Sequence, residues 1–531
     1  MKLSFYGADH EVTGSCHYLE AAGKKIFIDC GLRQGENAKN QLELPIAANE
    51  IDYIILTHAH IDHTGRLPLL AKQGFCGKIY CTYATEDLCD IMLRDSAHIQ
   101  EFEAEWRNRK GKRQGLPLVE PLYTVQDAET ILKSFNPIPY EKSVAIDEGL
   151  EISFRDIGHL LGSASVTFKI TENGITKTLL FSGDIGNINI PLIKDPVFSD
   201  KADIVVMEST YGDRLHTPPE NYEQKLADII EETFTRGGNV VIPSFAVGRT
   251  QEILYFIRII KEKHLVSDND FEVYVDSPLA LNATNIYREN YSECYDEEAL
   301  DLVSRGINPI SFPGLKTAVT SEESRNINFL PNKKVIISAS GMCDAGRIKH
   351  HLKHNLWRSD STILFVGYQA EGTTGRAILN GAKTVKILGE EIEVKAKIAE
   401  LPGISGHADK KALIKFAENI NPKPEQIFVV HGENSVCESF ATELKEILKC
   451  PVTAPYYTES WDIATVTKER NGKVIESYKP SKFETEETVF YKELKRQGER
   501  LQSVIAKSKG YANKDIKKFT AELNSLIDRW S

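Results

Sequence analysis

Short apolar runs bounded by turns dominate the first two hundred residues, a pattern that predicts strands. Ile26-Phe-Ile-Asp-Cys-Gly31, Ile51-Asp-Tyr-Ile-Ile-Leu56 and Thr178-Leu-Leu180 are such runs, and a helix-like stretch from Glu86 to Trp106 interrupts them. Near residue 210 the texture changes. Asn221 to Arg236 and Gly248 to Lys263 carry helical spacing, the second markedly amphipathic, and alternate with strand-like runs at 238–243, 271–276, 334–338 and 361–367. Such alternation implies a parallel sheet with helices on both faces. From about Ile387-Leu-Gly-Glu390 strand-rich sequence resumes and continues through Phe428-Val-Val-His-Gly-Glu433, so the middle region reads as an insertion into the first domain. After Glu484 the pattern is helical: Leu494, Leu501 and Ile505, then Ile516, Phe519, Leu523 and Leu526, predict two amphipathic helices broken near Gly510.

Composition narrows the class without naming it. A chain of 531 residues with 41% hydrophobic and 26% charged residues describes a folded protein of two or three domains. No apolar run approaches the roughly 20 residues that span a bilayer, and Met1-Lys-Leu-Ser-Phe-Tyr-Gly7 enters a strand-like segment, so a cytoplasmic protein without a membrane partner is expected. Nine cysteines without a Cys-x-x-Cys pair fit reduced thiols, with packing roles for Cys16, Cys30 and Cys343. The formal charge of −12 opposes nucleic-acid binding only at first sight, because basic residues can line one cleft while acidic ones cover the outside. Arg107, Arg109, Lys110, Lys112 and Arg113 form a basic cluster that suits either a solvated loop or a polyanion.

The chemistry is concentrated in Leu56-Thr-His-Ala-His-Ile-Asp-His-Thr-Gly65, which places four potential ligands, His58, His60, Asp62 and His63, within six positions at the end of a predicted strand. On an extended segment the alternate residues His58 and His60 point the same way and suit one ion. Asp62 and His63, past the bend, suit a second, so the run suggests a two-metal hydrolase.

This run resembles the His-x-His-x-Asp-His signature of the metallo-β-lactamase superfamily. Gly158-His159-Leu-Leu-Gly-Ser163 is similar to its third-histidine segment, Phe181-Ser-Gly-Asp184 to its bridging aspartate, and Asp29 to an early aspartate that orients ligands. Glu208-Ser-Thr-Tyr-Gly212 and Ser405-Gly-His407-Ala-Asp409 resemble the acidic motif A and motif C of the β-CASP family, as do 243–252, 276–278 and 338–342, so the resemblance covers about residues 1 to 465. It implies an α/β fold: an αββα sandwich with an inserted β-CASP domain, a parallel sheet flanked by helices, and a helical C-terminal extension. The implied boundaries are 1–208 and 389–480 for the sandwich, 209–388 for the insertion and 481–531 for the extension.

It also implies a site. His58, His60 and His159 would bind one Zn²⁺, Asp62, His63 and His407 another, and Asp184 would span the pair. Asp62, Asp184, Glu208 and His407 are the expected catalytic residues, and two Zn²⁺ the expected cofactors. A histidine at motif C is typical of RNA-acting members, so single-stranded RNA is the implied substrate, cut by water to leave 5′-phosphate and 3′-hydroxyl ends; endonucleolytic action is expected, with 5′ exonuclease action as a second mode. Arg249, Gly341, Arg347, Gly375 and Arg376 are the candidate substrate contacts, through guanidinium charge and glycine-turn amides. Motif B falls on Glu371-Gly-Thr-Thr-Gly-Arg-Ala377, where Arg376 and Ala377 stand in place of a histidine, so the leaving-group acid is unassigned; His354 is an alternative donor.

Two other classes stay open. A small-molecule metallohydrolase of the thioesterase or lactonase type would share the first motifs without needing Glu208, His407 and a long insertion. A non-catalytic RNA-processing scaffold would be expected to lack ligands, and none of the seven is missing. The C-terminal helices, with ten Lys/Arg against five Asp/Glu between Lys492 and Arg529, suit self-packing, a homodimer contact or RNA.

Overall fold

The computed structural model describes residues 1–35, 40–112, 117–217, 221–370, 372–401, 405–475, 497–498, 501–502, 504–505 and 508–530. They fall into two compact units, Met1–Gln100 with Leu122–Glu476, and Glu101–Pro121 with Ser477–Ser531.

The first unit contains a sandwich of an eight-stranded and a seven-stranded sheet. Its core follows from the two-residue period of a strand. In Ile204–Glu208, Ile204 and Val206 face Phe5, Ile28 and Ile55 of the other sheet, beside Phe168 and Phe181 of their own. Val205 and Met207 point the opposite way, onto Leu413 and Phe416 of the helix Lys410–Glu418 and Phe440 and Leu444 of the helix Asn434–Leu448. Chain ends and middle cooperate. Ser460–Asp462 pairs with Lys2–Phe5, and Gln426–Val430 pairs in parallel with Ile204–Glu208 so that Val430 lies opposite Glu208.

Between these segments an all-parallel sheet of six strands is inserted, in the order Leu315–Thr317, Glu272–Asp276, Lys334–Ser338, Val240–Pro243, Thr362–Phe365, Lys397–Glu400. Val240 and Ile242 pack with Ile253 and Ile257 of the helix Arg249–Glu262. Val241, Ile336 and Ile363 face the other way, onto Ile348 and Leu352 of the helix Ile348–Asn355. Both faces are covered, which is why these strands read as continuous apolar runs. One boundary differs from expectation. Lys397–Glu400 is an edge strand of the inserted sheet, so that sheet extends beyond residue 388, and a bridge between Gly186 and His407 marks contact with the sandwich again. The expected boundary at 480/481 lies outside the described residues.

Helix Tyr83–Lys112 continues past Trp106, so Arg107, Arg109, Lys110 and Lys112 sit on its last turns and not in a loop; Arg113 lies outside the described residues. Arg107 and Arg109 stand one helical turn from Glu103 and Glu105, and the Lys110 ammonium lies 5.2 Å from the Trp106 ring centroid. In the second unit the expected break near Gly510 is a turn at Ser508–Gly510, followed by the helix Asn513–Trp530 that carries Ile516, Phe519, Leu523 and Leu526. Leu494 and the rest of residues 484–496 lie outside the described residues, while Leu501 and Ile505 are helical. Among the described residues no helix is long and apolar enough to cross a membrane.

Candidate dinuclear metal centre

Every metal-ligating candidate in the sandwich stands just beyond the carboxyl end of a strand, where the chain turns and side chains from neighbouring strands converge. Tyr53–Ile55 leads to His58 and His60, and the short helix Ile61–Thr64 that follows presents Asp62 and His63. Ile175–Phe181 leads to Asp184, Leu150–Asp156 to His159, and Gln426–Val430 to His431. The loop after Ile28 presses against this turn: a methyl group on Gly31 would lie 1.6 Å from the Asp62 carbonyl oxygen, so only glycine permits the approach.

Three candidate ligand groups result among the described residues: two histidine-rich ones, and a third of Asp184, Glu208 and His407 that contains one histidine. In the first, His58 Nε2 lies 3.0 Å from His60 Nδ1, which lies 3.2 Å from His159 Nε2. Asp184 Oδ2 completes it at 3.5 Å from His58 Nε2 and 3.6 Å from His159 Nε2. In the second, His63 Nε2 is 3.2 Å from His431 Nε2, and Asp62 Oδ2 stands 4.0 and 3.7 Å from these two nitrogens. The other Asp184 oxygen, Oδ1, faces this group at 3.4 Å from His63 and 3.5 Å from His431. Asp184 thus turns one oxygen to each side.

Several features show that these residues fit cations. The ring nitrogens of the first group are spaced close to the edge of a zinc tetrahedron, about 3.3 Å for bonds near 2.0 Å. Asp184 Oδ1 is buried and accepts no hydrogen bond from the described residues, a costly arrangement for a carboxylate unless a positive charge faces it. The far sides of the rings are fixed. His63 Nδ1 lies 2.7 Å from Asp29 Oδ2, Asp29 is itself held by the Thr57 amide and hydroxyl, and His159 Nδ1 lies 2.9 Å from the Gly406 carbonyl. Each leaves Nε2 with its lone pair toward the cluster. Burial pushes the His58 and His159 imidazoles well below their usual range, the neutral state a ligand needs. Burial opposes charge on Asp184, yet the surrounding imidazoles, His431 and His63 foremost, hold its carboxyl well below the carboxylate range.

His407, expected as the ligand that completes the second group, stands elsewhere; the place beside Asp62 and His63 belongs to His431. The His407 Nδ1 is 3.2 and 3.3 Å from the two oxygens of Glu208, and its Nε2 is 3.9 Å from Asp184 Oδ2. Glu208 is fully buried and anchored by the Ile185 amide at 2.5 Å and the Thr210 amide at 3.2 Å. Burial resists protonation of His407, but the Glu208 and Asp184 carboxylates outweigh it and bring the imidazole up to about 9. Its side chain is 22% exposed, against 5% for His431, so it lies on the open side of the cluster. The only signal His431 offers in the sequence is a lone histidine after the apolar run Phe428-Val-Val430, which does not by itself tell a ligand from a packed residue.

The candidates in the insertion are placed differently. Arg347 donates to Asp276 Oδ1 at 2.8 Å and to the Ala318 and Val319 carbonyls at 3.0 and 2.6 Å, while Arg249 pairs with Glu252 at 2.6 Å. The Gly375 amide donates to the Met342 carbonyl, and a methyl group on Gly375 would lie 1.8 Å from Gln369 Oε1, so this glycine serves loop packing and not an exposed amide turn. Gly341 lies against the Phe245 ring, and Arg376 donates to the Gln369 carbonyl at 3.4 Å. His354 contacts Phe329 within the insertion and belongs to none of the ligand groups; Glu371 lies outside the described residues. Arg347→Ala would leave one oxygen of fully buried Asp276 without its donor, so a stability loss of about 1–3 kcal/mol is expected. Thermal denaturation measures it, and an unchanged melting temperature would remove the structural role from Arg347.

The match to known proteins agrees with this arrangement. The metallo-beta-lactamase superfamily profile matches residues 11–244, the Beta-Casp domain 250–378, and the Zn-dependent metallo-hydrolase RNA specificity domain 391–455. Ribonuclease TTHA0252 of Thermus thermophilus is 36% identical over 82% of this chain and 93% of its own length. The chain belongs to the Beta-Casp branch of the metallo-β-lactamase superfamily. An RNase J-like protein of Methanocaldococcus jannaschii is 31% identical over 85% of this chain and 97% of its own, and transcription termination factor FttA of the same organism 31% over 86% and 70%. As a member of this branch the protein is a metal-dependent hydrolase, and the histidine–aspartate clusters are its candidate metal ligands.

Proposed function

We propose that the protein is a zinc-dependent ribonuclease that hydrolyses phosphodiester bonds within single-stranded RNA, in RNA processing or decay in the cytoplasm. The observation that carries this reading is the pair of ligand groups joined by Asp184 with the His407–Glu208 pair on their open side. RNA is favoured over other phosphodiesters by the match to an RNA specificity domain and by relatives whose names describe ribonucleases. A thioesterase or lactonase has no use for a proton donor built this way beside an inserted α/β domain.

His58, His60, His159 and Asp184 would hold one zinc ion, and Asp62, His63, His431 and Asp184 the other. Two zinc ions supply Lewis acidity there, acidifying water and drawing negative charge off a phosphate. The protein's own groups do the rest. Asp29 and Thr57 keep His63 oriented, and Asp62, whose side chain is 19% exposed, takes up the proton of the attacking water. Glu208 accepts the Nδ1 proton of His407, which turns Nε2–H toward the reacting side. His407 then donates that proton to the departing 3′ oxygen as the P–O3′ bond breaks, leaving a 5′-phosphate on one fragment and a 3′-hydroxyl on the other. This reading gives His407 the acid role that neither Arg376 nor His354 can fill. A guanidinium stays charged, and His354 lies against Phe329 in the insertion.

The test is incubation of end-labelled single-stranded RNA and DNA of one sequence with wild type and His63→Ala. Internal cleavage of the RNA to 5′-phosphate fragments is expected, with most activity lost in the variant. Equal activity of the variant, or a wild type that cuts only small esters, would refute the assignment. Zinc below one ion per chain would favour a scaffold.

A further inference from the structure

Two large aromatic side chains stand exposed at the carboxyl ends of the inserted parallel strands, where open α/β sheets bind their ligands. Phe245, two residues past Val240–Pro243, is 46% exposed, and Tyr368, three past Thr362–Phe365, is 63% exposed. Their backbones are fixed. The Phe245 carbonyl accepts the Thr250 hydroxyl at 2.7 Å, and the buried Gln369 amide donates to the carbonyls of Gly341, Gly367 and Tyr368 at 3.0, 3.1 and 3.1 Å. The edge of the Phe245 ring packs 3.2 Å from where a methyl group on Gly341 would sit, so the loops after two strands are locked together and present the rings outward.

The Phe245 loop runs to the metal centre, and the Tyr368 loop lies against it. A methyl group on Gly367, the residue before Tyr368, would lie 3.9 Å from the Phe245 ring. A methyl group on Gly248, at the far end of the Phe245 loop, would touch Leu160 at 3.3 Å, the residue next to His159. Solvent-exposed rings on a rigid backbone beside a phosphate-cleaving centre suit flat apolar surfaces that arrive with the phosphate. In a single-stranded nucleic acid these are the bases, and stacking accepts any base because each has a π-face. Rings held in place lose little further freedom on binding.

We propose that Phe245 and Tyr368 are stacking platforms for the nucleobases that flank the scissile phosphate, a subsite that rests on the ribonuclease reading above. It follows that cleavage tolerates changes of base but needs a base to be present.

The test uses single-stranded RNA carrying 2-aminopurine, titrated into chelator-treated full-length protein so that binding is read without cleavage. Stacking quenches the fluorophore. Quenching is expected with wild type and with Tyr368→Phe. In Phe245→Ala and Tyr368→Ala the quenching at one position should be lost, and binding should weaken on the order of tenfold or more. With zinc restored, an abasic site beside the cleaved bond should slow wild type but make little further difference to the alanine variants. Two alanine variants that quench, bind and discriminate abasic substrate as wild type does would overturn the platform. RNA that wild type neither binds nor cuts would instead overturn the function on which it rests.

Discussion

Asp184→Asn should take bound zinc from about two ions per chain to less than one and lower hydrolysis at least about a thousandfold, some 4 kcal/mol of barrier. The size follows from geometry. One carboxylate presents Oδ2 to His58 and His159 and Oδ1 to His63 and His431, so an amide nitrogen in place of either oxygen turns N–H bonds toward one ligand group and removes the shared negative charge. The substitution is nearly isosteric and removes a buried charge from between imidazoles, so the fold should survive and circular dichroism should be unchanged. Metal analysis of dialysed protein beside the rate decides the matter. A variant with two tightly held zinc ions and near-normal activity would end the idea of a bridging carboxylate. His431→Ala should give the graded version, losing one ion and keeping the other.

The second large effect separates chemistry from metal binding. His407→Ala should keep both zinc ions, because the two histidine-rich groups are complete without it, yet lower kcat by about 10²–10⁴-fold, the usual range for a lost general acid. Glu208→Gln should act through His407. Loss of the carboxylate removes the interaction that favours the imidazolium, so the imidazole pKa falls. Since the acid must be protonated to work, the alkaline limb of the rate profile should move to lower pH in Glu208→Gln and disappear in His407→Ala. Zinc lost together with activity in His407→Ala would make it a ligand after all, and an unmoved limb in Glu208→Gln would leave Glu208 a purely structural group.

The two substitutions meet at the point where sequence reasoning went astray. The run from His58 to His63 was legible as chemistry because it ends an apolar run in a cluster of ligand types, and Glu208 and His407 were legible through their resemblance to β-CASP motifs. Which histidine faces Asp62 was not. His431 is a lone histidine in Phe428-Val-Val-His-Gly-Glu433, and a lone histidine at a strand end looks the same whether it binds a metal or packs in a core. Its role depends on the parallel register that sets Val430 opposite Glu208, a contact across more than two hundred residues that no local spacing encodes. Arg347 and Arg249 show the converse. Their charge suited an RNA contact or a structural salt bridge alike, and Asp276 and Glu252, whose nearness only folding creates or reveals, supply the salt bridge.

By itself the chain determined its elements and the two halves of its chemistry. The two-residue and 3.6-residue periods marked the strands and helices, including 334–338 to the residue and Tyr222–Thr235 within one at each end, because apolar side chains must share a face to leave water. It also fixed the pairs His58 with His60 and Asp62 with His63, since those geometries are short-range. Only the tertiary structure decided that His431 joins the second pair, that His407 turns to Glu208, and that the inserted sheet extends to Glu400. The physical reason is the same in all three cases: strand pairing and sheet packing bring together groups far apart in sequence, and neither leaves a periodic trace in the chain.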